Sequence, residues 1–352
     1  MILTVVQKYI EGGLISNEQE VYILWMFAIL FVVVAFFGVL SNTVNIQAFV
    51  SMGVNDGVTV SFLILSVSDL VFVLSNISMG ILTAFWALEM DTHYHTWFTV
   101  DPFGAYILSA NVSFLLYVMT MLTTMFLAIA RSMCVAKPLH FKNAFTKNRS
   151  LFIHLAFAIF TVFSYLPVLL NMGMSTTFDA RVNSNRTLLW ITSSRQTIKD
   201  IVWTMRDTFL SLASQFILII CVGIMVVSLR KSSAFRQKSV MITSDGTDPR
   251  NKSGRSREGQ TSSSLSGKDL QVVQQVTLVS ILYIVCNMPK ILVNLAQVSE
   301  PELTIGKRYQ NVSHNIINTM TISQLLNCSL NFLVYYKFNS KFRSVVSSFW
   351  CS

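Results

Sequence analysis

Residues 58–86 read VTVSFLILSVSDLVFVLSNISMGILTAFW, an apolar run with small polar residues and a single charge, Asp69. A helix that crosses the hydrocarbon core of a bilayer needs about 20 predominantly apolar residues, and this run exceeds that length. A carboxylate in the middle of such a span is costly against lipid, so it is expected to face the protein interior. The stretch therefore predicts a membrane protein whose helices pack around a buried acid.

Six further segments of the 352-residue chain share this character. Overall, 53% of the residues are hydrophobic and only 12% are charged, whereas soluble domains carry about 25% charged residues. We therefore predict an all-α membrane protein in which a seven-transmembrane helix bundle occupies residues 21–336. The predicted spans are residues 21–50, 58–86, 102–135, 148–170, 202–230, 269–298 and 313–336.

Polar residues interrupt the third and seventh predicted spans. Ser109, Asn111 and Ser113 lie in the third, and many Asn, Ser and Thr residues lie in the seventh. Because such side chains are costly against lipid, we expect them to face the interior of the bundle.

Charged residues divide the loops into two sets. The side that includes residues 231–268 and 337–352 carries 17 Lys and Arg against 5 acids, and the other side carries 9 against 11. Because Lys and Arg stay on the cytoplasmic side, we expect a plasma-membrane protein with residues 1–20 outside the cell and the C-terminus inside. The basic charge thus reports topology and does not indicate nucleic-acid binding.

Two cytoplasmic segments differ from the spans in composition. Residues 231–268 are rich in Ser, Gly, Lys and Arg, which predicts a disordered loop. Residues 337–352 place apolar side chains at helical spacing between cations, which predicts a short amphipathic eighth helix on the inner leaflet of the lipid bilayer. Cys351 at its end is either S-acylated or unmodified.

Five short motifs occur in order along the predicted spans. They are Gly38-Val39-Leu40-Ser41-Asn42, Ser66-Val67-Ser68-Asp69-Leu70, Arg131 with Pro138-Leu139 seven residues later, Cys286-Asn287-Met288-Pro289, and Asn331-Phe332-Leu333-Val334-Tyr335. Together, over about residues 21–345, they resemble the rhodopsin class (class A) of G-protein-coupled receptors. The chain is similar in style to invertebrate, molluscan-type chemosensory receptors, and Phe332 in the last motif also occurs at that place in peptide receptors.

The resemblance implies a receptor that transduces an extracellular small-molecule or peptide ligand to a cytoplasmic heterotrimeric G-protein, without catalysis and without a required cofactor. A chemosensory role is our first interpretation, and a neuropeptide receptor of the same class is the alternative. A transporter or channel is a distant alternative, because the chain has one deep acid and no internal repeat. The five histidines do not cluster at metal-ligand spacing, which disfavours a metalloenzyme.

The resemblance also assigns the residues that switch activity and couple to the G-protein. They are Arg131, Pro138, Asp269, Pro289, Asn331 and Tyr335. Arg131 would contact the G-protein, Tyr335 would swing inward to hold the open state, and Pro289 would kink the sixth span as its pivot. Ala130 replaces the acid that the family places beside the arginine, so we predict a weak pair between Arg131 and Asp269.

The family binds a sodium ion beneath its ligand pocket. The matching positions here are Asp69, Thr120, Asn327 and Asn331. A hard cation prefers a carboxylate and neutral oxygens, so these residues suit an allosteric sodium ion. A hydrogen-bonded polar cluster without an ion is equally compatible with them.

The ligand-pocket residues are inferred from positions on the outer halves of the spans. They are Tyr106, Ser109, Ser113, Trp203, Arg206, Asp207, Lys290 and Asn294. Ser113 stands where amine receptors carry an Asp, which disfavours a biogenic amine. Arg206 and Lys290 would either bind an anionic group of the ligand or extend to the lipid headgroups.

The disulfide that is usual in this class is absent from the sequence. Tyr106 stands near the expected cysteine position on the third span, and residues 171–201 contain no cysteine. This loop is therefore either ordered by packing or mobile. Asn185 and Asn311 begin Asn-x-Ser/Thr triplets on the outer side and predict glycosylation.

Overall fold

The computed structural model is predominantly helical, as the composition predicts. It describes residues 2–5, 14–136, 146–244, 267–300, 302–303 and 307–351. The described helices are α1 (Asn17–Met52), α2 (Gly57–Asp91), α3 (Pro102–Ala136), α4 (Lys147–Leu169), α5 (Arg195–Val202), α6 (Leu210–Ser244), α7 (Gly267–Ser299), α8 (Gln310–Phe338) and α9 (Ser340–Cys351). A π-helical segment, Trp203–Phe209, joins α5 to α6 without a break.

Six helical units within the described residues are long and apolar enough to cross a membrane. They are α1, α2, α3, α4, the rod that α5, the π-helical segment and the first part of α6 form from Arg195 to Lys231, and the part of α7 from Leu270 to Ser299. Helix α8 has a comparable length of 29 residues but a far more polar sequence. Its Asn318, Gln324 and Asn327 are all at most 2% exposed, so the expectation that polar residues of this span face the interior is confirmed.

Side-chain caps determine where the first two spans begin. Ser16 and Gln19 form a reciprocal capping box at the start of α1, with hydrogen bonds of 3.2 and 3.0 Å. Asp56 caps α2, because its carboxylate accepts hydrogen bonds of 2.9 Å from the backbone N–H groups of Val58 and Thr59. Both caps satisfy backbone donors that a helix start leaves without a partner.

Helices α1 and α8 approach closely near the middle of the bundle. A Cβ atom added at Gly38 would lie 2.5 Å from the Ser329 hydroxyl, so only glycine permits this separation. One turn along α1, the Ser41 hydroxyl donates to the Ser329 carbonyl (3.0 Å) and the Asn42 amide donates to the Cys328 carbonyl (3.0 Å). Such small-residue contacts and interhelical hydrogen bonds are how helices associate in lipid.

A three-stranded antiparallel sheet covers one end of the bundle. Its strands are β1 (Ile2–Val5), β2 (Met172–Asp179) and β3 (Ser184–Thr192), in the order β1-β3-β2. Strands β2 and β3 form a hairpin, and Asn183 has a φ of 52° in its turn. The sequence interpretation left this loop as either packed or mobile and did not predict strands. Thr, Phe, Leu and Ile residues flanking a polar turn were the available signal.

Buried ion pairs attach the hairpin to the helices. The Arg186 guanidinium, whose side chain is 0% exposed, lies 2.8 Å from the Glu89 carboxylate and 3.3 Å from Asp101. Arg181 lies 2.8 Å from Asp179 and 3.1 Å from Asp101. Two arginines of the hairpin region thus meet acids from the end of α2, the start of α3 and β2. We call these five residues the ion cluster.

Backbone hydrogen bonds continue the attachment between the hairpin and α3. Thr187 of β3 donates to the Thr99 carbonyl (2.8 Å) and accepts from the Asp101 N–H (2.9 Å). Asp101 also caps α3 by accepting a hydrogen bond of 2.8 Å from the Gly104 N–H. Cys134, Cys221, Cys286 and Cys328 form no disulfide, so charge and hydrogen bonds hold this loop where the receptor class usually has a disulfide.

The α6 helix extends beyond the predicted fifth span. That span ends at residue 230 by composition, whereas the helix continues to Ser244. The remainder of the predicted cytoplasmic loop, residues 245–266, lies outside the described residues. A helix that leaves the bilayer can continue in water where its sequence has good helix formers, because lipid is not what closes its backbone hydrogen bonds.

Removal of the central arginine is expected to release the hairpin. Arg186→Met leaves three buried acids without their shared partner, which should lower the free energy of unfolding by about 3–5 kcal/mol. Thermal unfolding in detergent and hydrogen exchange of residues 172–192 measure this. Lys307→Met is the control, because Lys307 forms an exposed pair with Glu302. Equal melting of the Arg186 variant and the wild type would contradict the assignment.

The ion cluster also gives a defined pH dependence. Burial alone would raise the pKa of Asp179, but hydrogen bonds and charge from Arg181 outweigh it and lower this pKa below its ordinary value. A lowered carboxylate pKa contributes stability above the ordinary value of about 3.9 and loses it as the pH falls through the lowered value. Asp179→Asn should therefore reduce the melting temperature between pH 5 and 7, and this difference from wild type should vanish in stronger acid. A constant difference at all pH values would argue against an ionised Asp179.

Candidate functional site

A partly open cavity of about 580 Å³ lies between the sheet and the bundle. This volume falls within the range of about 300–1,000 Å³ that small-molecule sites occupy. Its roof is the sheet, with residues Leu3, Thr4, Leu189 and Ile191. Its walls come from α3, from α5 with the π-helical segment, and from the C-terminal end of α7 and the N-terminal end of α8.

Most of the wall is apolar, with a few polar groups on particular elements. On α3 the lining residues are Phe103, Tyr106, Ile107, Ala110, Asn111 and Phe114. On α5 and the π-helical segment they are Arg195, Gln196, Lys199, Asp200, Trp203 and Thr204. On α7 and α8 they are Gln297, Val298, Gln310, Ser313, His314 and Ile317. An apolar chamber with a few converging polar groups is the usual form of a ligand site.

Two of the predicted ligand residues, Tyr106 and Trp203, line this cavity. The Tyr106 hydroxyl also donates a hydrogen bond of 2.6 Å to the Asn318 amide oxygen of α8. The predicted serines of α3 point elsewhere. The Ser109 hydroxyl lies 2.9 Å from that of Ser78 and the Ser113 hydroxyl 2.9 Å from that of Ser75, so both serines hydrogen-bond to α2 and neither lines the cavity.

The other four predicted ligand residues, Arg206, Asp207, Lys290 and Asn294, form a buried polar cluster further from the sheet. Lys290 lies 3.4 Å from the Asp207 carboxylate, Arg206 lies 3.8 Å from it, and Asn294 donates 2.8 Å to the Asp207 carbonyl. Every member is at most 4% exposed, and none lines the cavity. The expectation that Arg206 and Lys290 meet the ligand or the headgroups therefore does not match the structure, because Asp207 already binds both cations.

The cations that do line the cavity are Arg195 and Lys199 of α5. They precede the predicted fifth span, which begins at residue 202, because charged residues lowered the apolar character of this stretch. The sequence nonetheless contained a sign that the two cations lie together, because residues four apart lie on one face of a helix. The π-helical segment between α5 and α6 then turns Arg206 and Asp207 inward together.

A second polar centre surrounds Asp69 in the middle of the bundle. The carboxylate is fully buried and accepts hydrogen bonds from the Thr120 hydroxyl (2.8 Å) and the Asn331 amide (2.9 Å). The predicted residues of α2, α3 and α8 therefore do come together. Asn327 is buried nearby on α8, one turn from Asn331.

The residues around Asp69 fit a sodium ion. Within the described residues, the amide oxygens of Asn327 and Asn331 are buried and have no hydrogen-bond partner. Together with the Asp69 carboxylate they supply the hard oxygen ligands that such a cation prefers. When bound, the ion would neutralise a carboxylate that is otherwise costly to bury. Sodium binding stays a prediction beside the alternative of an ion-free cluster.

An aromatic cluster marks the opposite end of the bundle from the cavity. Tyr335 of α8 is 0% exposed, and its ring centroid lies 5.2 Å from those of Phe49 and Phe62 and 5.8 Å from that of Phe342. Asn339 caps α9 by accepting a hydrogen bond of 3.0 Å from the Phe342 N–H. The predicted amphipathic helix thus begins by packing Phe342 against the tyrosine of the activation motif.

The predicted switch residues are only partly covered by the structure. Arg131 is 7% exposed at the same end as Tyr335, and Pro289 lies inside α7. Pro138 and the side chains of Asp269 and Cys351 lie outside the described residues. The Arg131–Asp269 pair and the lipidation of Cys351 therefore stay predictions.

The two predicted glycosylation sites differ in accessibility. Asn185 is exposed on β3. Asn311 is 6% exposed, and its amide nitrogen, to which a sugar would be attached, donates to the Ile15 carbonyl (3.1 Å) and to Asn17 (3.2 Å). We therefore retain the prediction for Asn185, and the buried amide argues against modification of Asn311.

Comparison with known families matches residues 32–256 to the family described as "Serpentine type 7TM GPCR chemoreceptor Srx". This match spans more than half of the chain. The chain belongs to the Srx family. No curated protein matches the chain. As a Srx chemoreceptor it is a multi-pass membrane protein and a chemosensory G-protein-coupled receptor, and it is not an enzyme.

The family match tests several sequence interpretations. The fold class and the chemosensory receptor function are confirmed, and so is the exclusion of an enzyme. The narrower similarity to molluscan receptors is not supported, because the matching family is Srx. The match also favours the chemosensory interpretation over the neuropeptide alternative and over a transporter or channel.

The buried cluster of the Srx receptor predicts an unequal response to charge removal. Asp207→Asn leaves Arg206 and Lys290 facing each other without an anion, which should cost about 3–5 kcal/mol of stability. Lys290→Met should cost less, because a neutral Arg206–Asp207 pair remains. Lys290→Met should also restore part of the stability when added to Asp207→Asn. Thermal unfolding of the three variants measures this, and equal losses in both single variants with no rescue would refute the arrangement.

Proposed function

We propose that the cavity beneath the sheet binds the chemical ligand of this receptor from outside the cell, and that the opposite end couples to a heterotrimeric G-protein. The observation that carries this proposal is a cavity, about 580 Å³ in volume, at the end of the bundle far from Arg131 and Tyr335. The sheet end is then extracellular, and the C-terminal α9 lies on the inner leaflet of the plasma membrane.

The distribution of charge supports this orientation. Net positive charge concentrates in the segments at the Tyr335 end, where Lys337, Lys341 and Arg343 flank the start of α9. Lys and Arg are retained on the cytoplasmic side during membrane insertion. The exposed Asn185 on the sheet would then be available for glycosylation outside the cell.

The form of the cavity favours a small molecule over a peptide. Leu189 and Ile191 of β3 lie across its outer side, with Leu3 and Thr4 of β1 beside them. An extended peptide would need a continuous groove along this face, whereas the sheet lies across it. A compact ligand is buried on most of its surface in such a site.

Helix α7 provides a route from the cavity to the cytoplasmic end. Gln297 and Val298 line the cavity, and Pro289 lies two turns further toward the cytoplasm. A proline inside a helix removes one backbone hydrogen bond and permits a kink, so the inner part of α7 can swing about it. A ligand that prefers one of two bundle states shifts their populations.

Contacts at the cytoplasmic end would change in such a swing. The Asn339 amide donates 3.3 Å to the Gln275 side chain and so links the start of α9 to the inner end of α7. Outward movement of α7 would break this hydrogen bond and uncover Arg131, which is buried here. Tyr335 would leave its aromatic cluster and move inward, and Arg131 would contact the G-protein.

Nucleotide exchange tests both ends of the receptor in one experiment. The receptor in lipid nanodiscs is screened against a panel of small organic molecules with several heterotrimeric G-proteins. Arg131→Ala should abolish stimulated exchange but retain ligand binding. Ala110→Trp should fill the cavity and abolish the ligand response, while ligand-independent exchange persists.

Matched controls make this outcome decisive. Val112→Trp adds the same ring to the outward face of α3, since Val112 is 36% exposed, and should respond like wild type. A normal response of Ala110→Trp would show that the ligand binds elsewhere. Antibody staining of intact cells checks the orientation, since a tag beside β1 should stain without permeabilisation and a C-terminal tag only after it.

A further inference from the structure

Arg195 is a buried cation on the wall of the cavity. It is 7% exposed and lines the cavity from the first turn of α5. Among the described residues, its guanidinium reaches only neutral acceptors, with 3.4 Å to the Asn111 amide oxygen and 3.5 Å to the Met172 sulfur. Its Nε has no hydrogen-bond partner within the described residues.

Arg195 differs in this from three other buried or half-buried arginines at the same end of the receptor. Arg186 and Arg181 pair with acids of the ion cluster, and Arg206 lies 3.8 Å from Asp207. No carboxylate of the described chain lies within 4 Å of Arg195 or Lys199. A buried cation without an anion is strongly unfavourable, so its presence on a cavity wall indicates a partner that arrives with the ligand.

Lys199 doubles the positive charge at this place. It lies one helical turn after Arg195 on the same wall, and its Nζ is 5.8 Å from the centroid of the Trp203 ring. The nearest acid in sequence, Asp200, also lines the cavity, but it is exposed and accepts a hydrogen bond of 2.8 Å from Gln196. Two cations one turn apart can bind one carboxylate together.

The remaining walls select the rest of the ligand. Beside Asn111, the α3 wall offers an apolar surface made by Phe103, Ile107 and Phe114, and Ile317 of α8 extends this surface. At the α8 side, His314 lies 3.8 Å from the buried Glu20 carboxylate, which disfavours an anion there. The negative group of a ligand is therefore directed to α5, and its apolar body to α3 and α8.

We propose that the ligand is a small amphiphilic carboxylic acid whose carboxylate binds Arg195 and Lys199 and whose apolar body lies along α3. This inference rests on the proposed function, because it requires that the cavity is the ligand site. The Asn111 amide, which already accepts from Arg195 and from the Tyr165 hydroxyl (2.8 Å), holds the guanidinium at the wall before the ligand arrives.

The test compares matched ligands on the intact receptor in nanodiscs. The probes are straight-chain, branched and aryl carboxylic acids of medium length, each with its primary alcohol and its primary amine. Binding is followed by thermal shift and by competition, and activity by nucleotide exchange. At least one acid should bind about tenfold to a hundredfold more tightly than its alcohol, since hydrogen bonds to charged groups are strong. The amines should bind least.

Two charge-removing variants identify the cations. Arg195→Gln and Lys199→Gln should each reduce acid affinity by about tenfold or more and leave the affinity for the alcohol unchanged. Lys307→Gln, which removes an exposed cation away from the cavity, should alter neither. The comparison of acid with alcohol on wild-type receptor stands even if Arg195→Gln does not fold.

Failure of this inference is distinguishable from failure of the proposed function. If ligands act through the cavity, as shown by loss of response in Ala110→Trp, but alcohols or amines bind as well as acids, the carboxylate assignment is overturned and the cavity stays. If acids bind more tightly than alcohols but Ala110→Trp does not affect them, both proposals fail. Acid selectivity that needs Arg195 or Lys199 and is lost in Ala110→Trp supports both.

Discussion

The sheet end of this receptor depends on one buried guanidinium, that of Arg186. It connects the end of α2 through Glu89 and the start of α3 through Asp101 to the strand that carries it. A buried charge is tolerated only with its partners in place, so the cluster favours one complete arrangement over partial ones. Because β3 is held in this way, Leu189 and Ile191 form part of the cavity wall on the sheet side.

In the middle of the bundle, around Asp69, hydrogen bonds have the role that ion pairs have in the ion cluster. Helices in lipid gain little from apolar contact with each other, so interhelical hydrogen bonds carry much of their specificity. Asp69 joins α2 to α3 through Thr120 and to α8 through Asn331. The Asn42 amide of α1 in turn donates to a backbone carbonyl of α8. These bonds connect four helices between the cavity beneath the sheet and the aromatic cluster around Tyr335.

The sequence predicted the structure well where the length of an apolar segment, or a single charge deep within a span, determined it. The helical bundle and the partners of Asp69 follow from those constraints and from the family pattern. The residues that line the cavity could not be predicted from those constraints. The direction of a side chain depends on how its helix is rotated about its axis, and successive side chains differ in direction by about 100°. Ser109 and Ser113 turn to α2 for this reason, and composition excluded Arg195 from the predicted span. The sheet depends on long-range charge pairing that local pattern does not reveal.

The π-helical segment Trp203–Phe209 gives the fifth transmembrane rod a built-in joint. A wide turn of this kind holds one residue more than an α-helical turn, and it can migrate along a helix by exchanging hydrogen bonds one at a time. Such migration would rotate α5, which carries Lys199, while α6 kept its position in the bilayer. The fifth rod can therefore respond to a ligand by torsion, independently of any bending elsewhere.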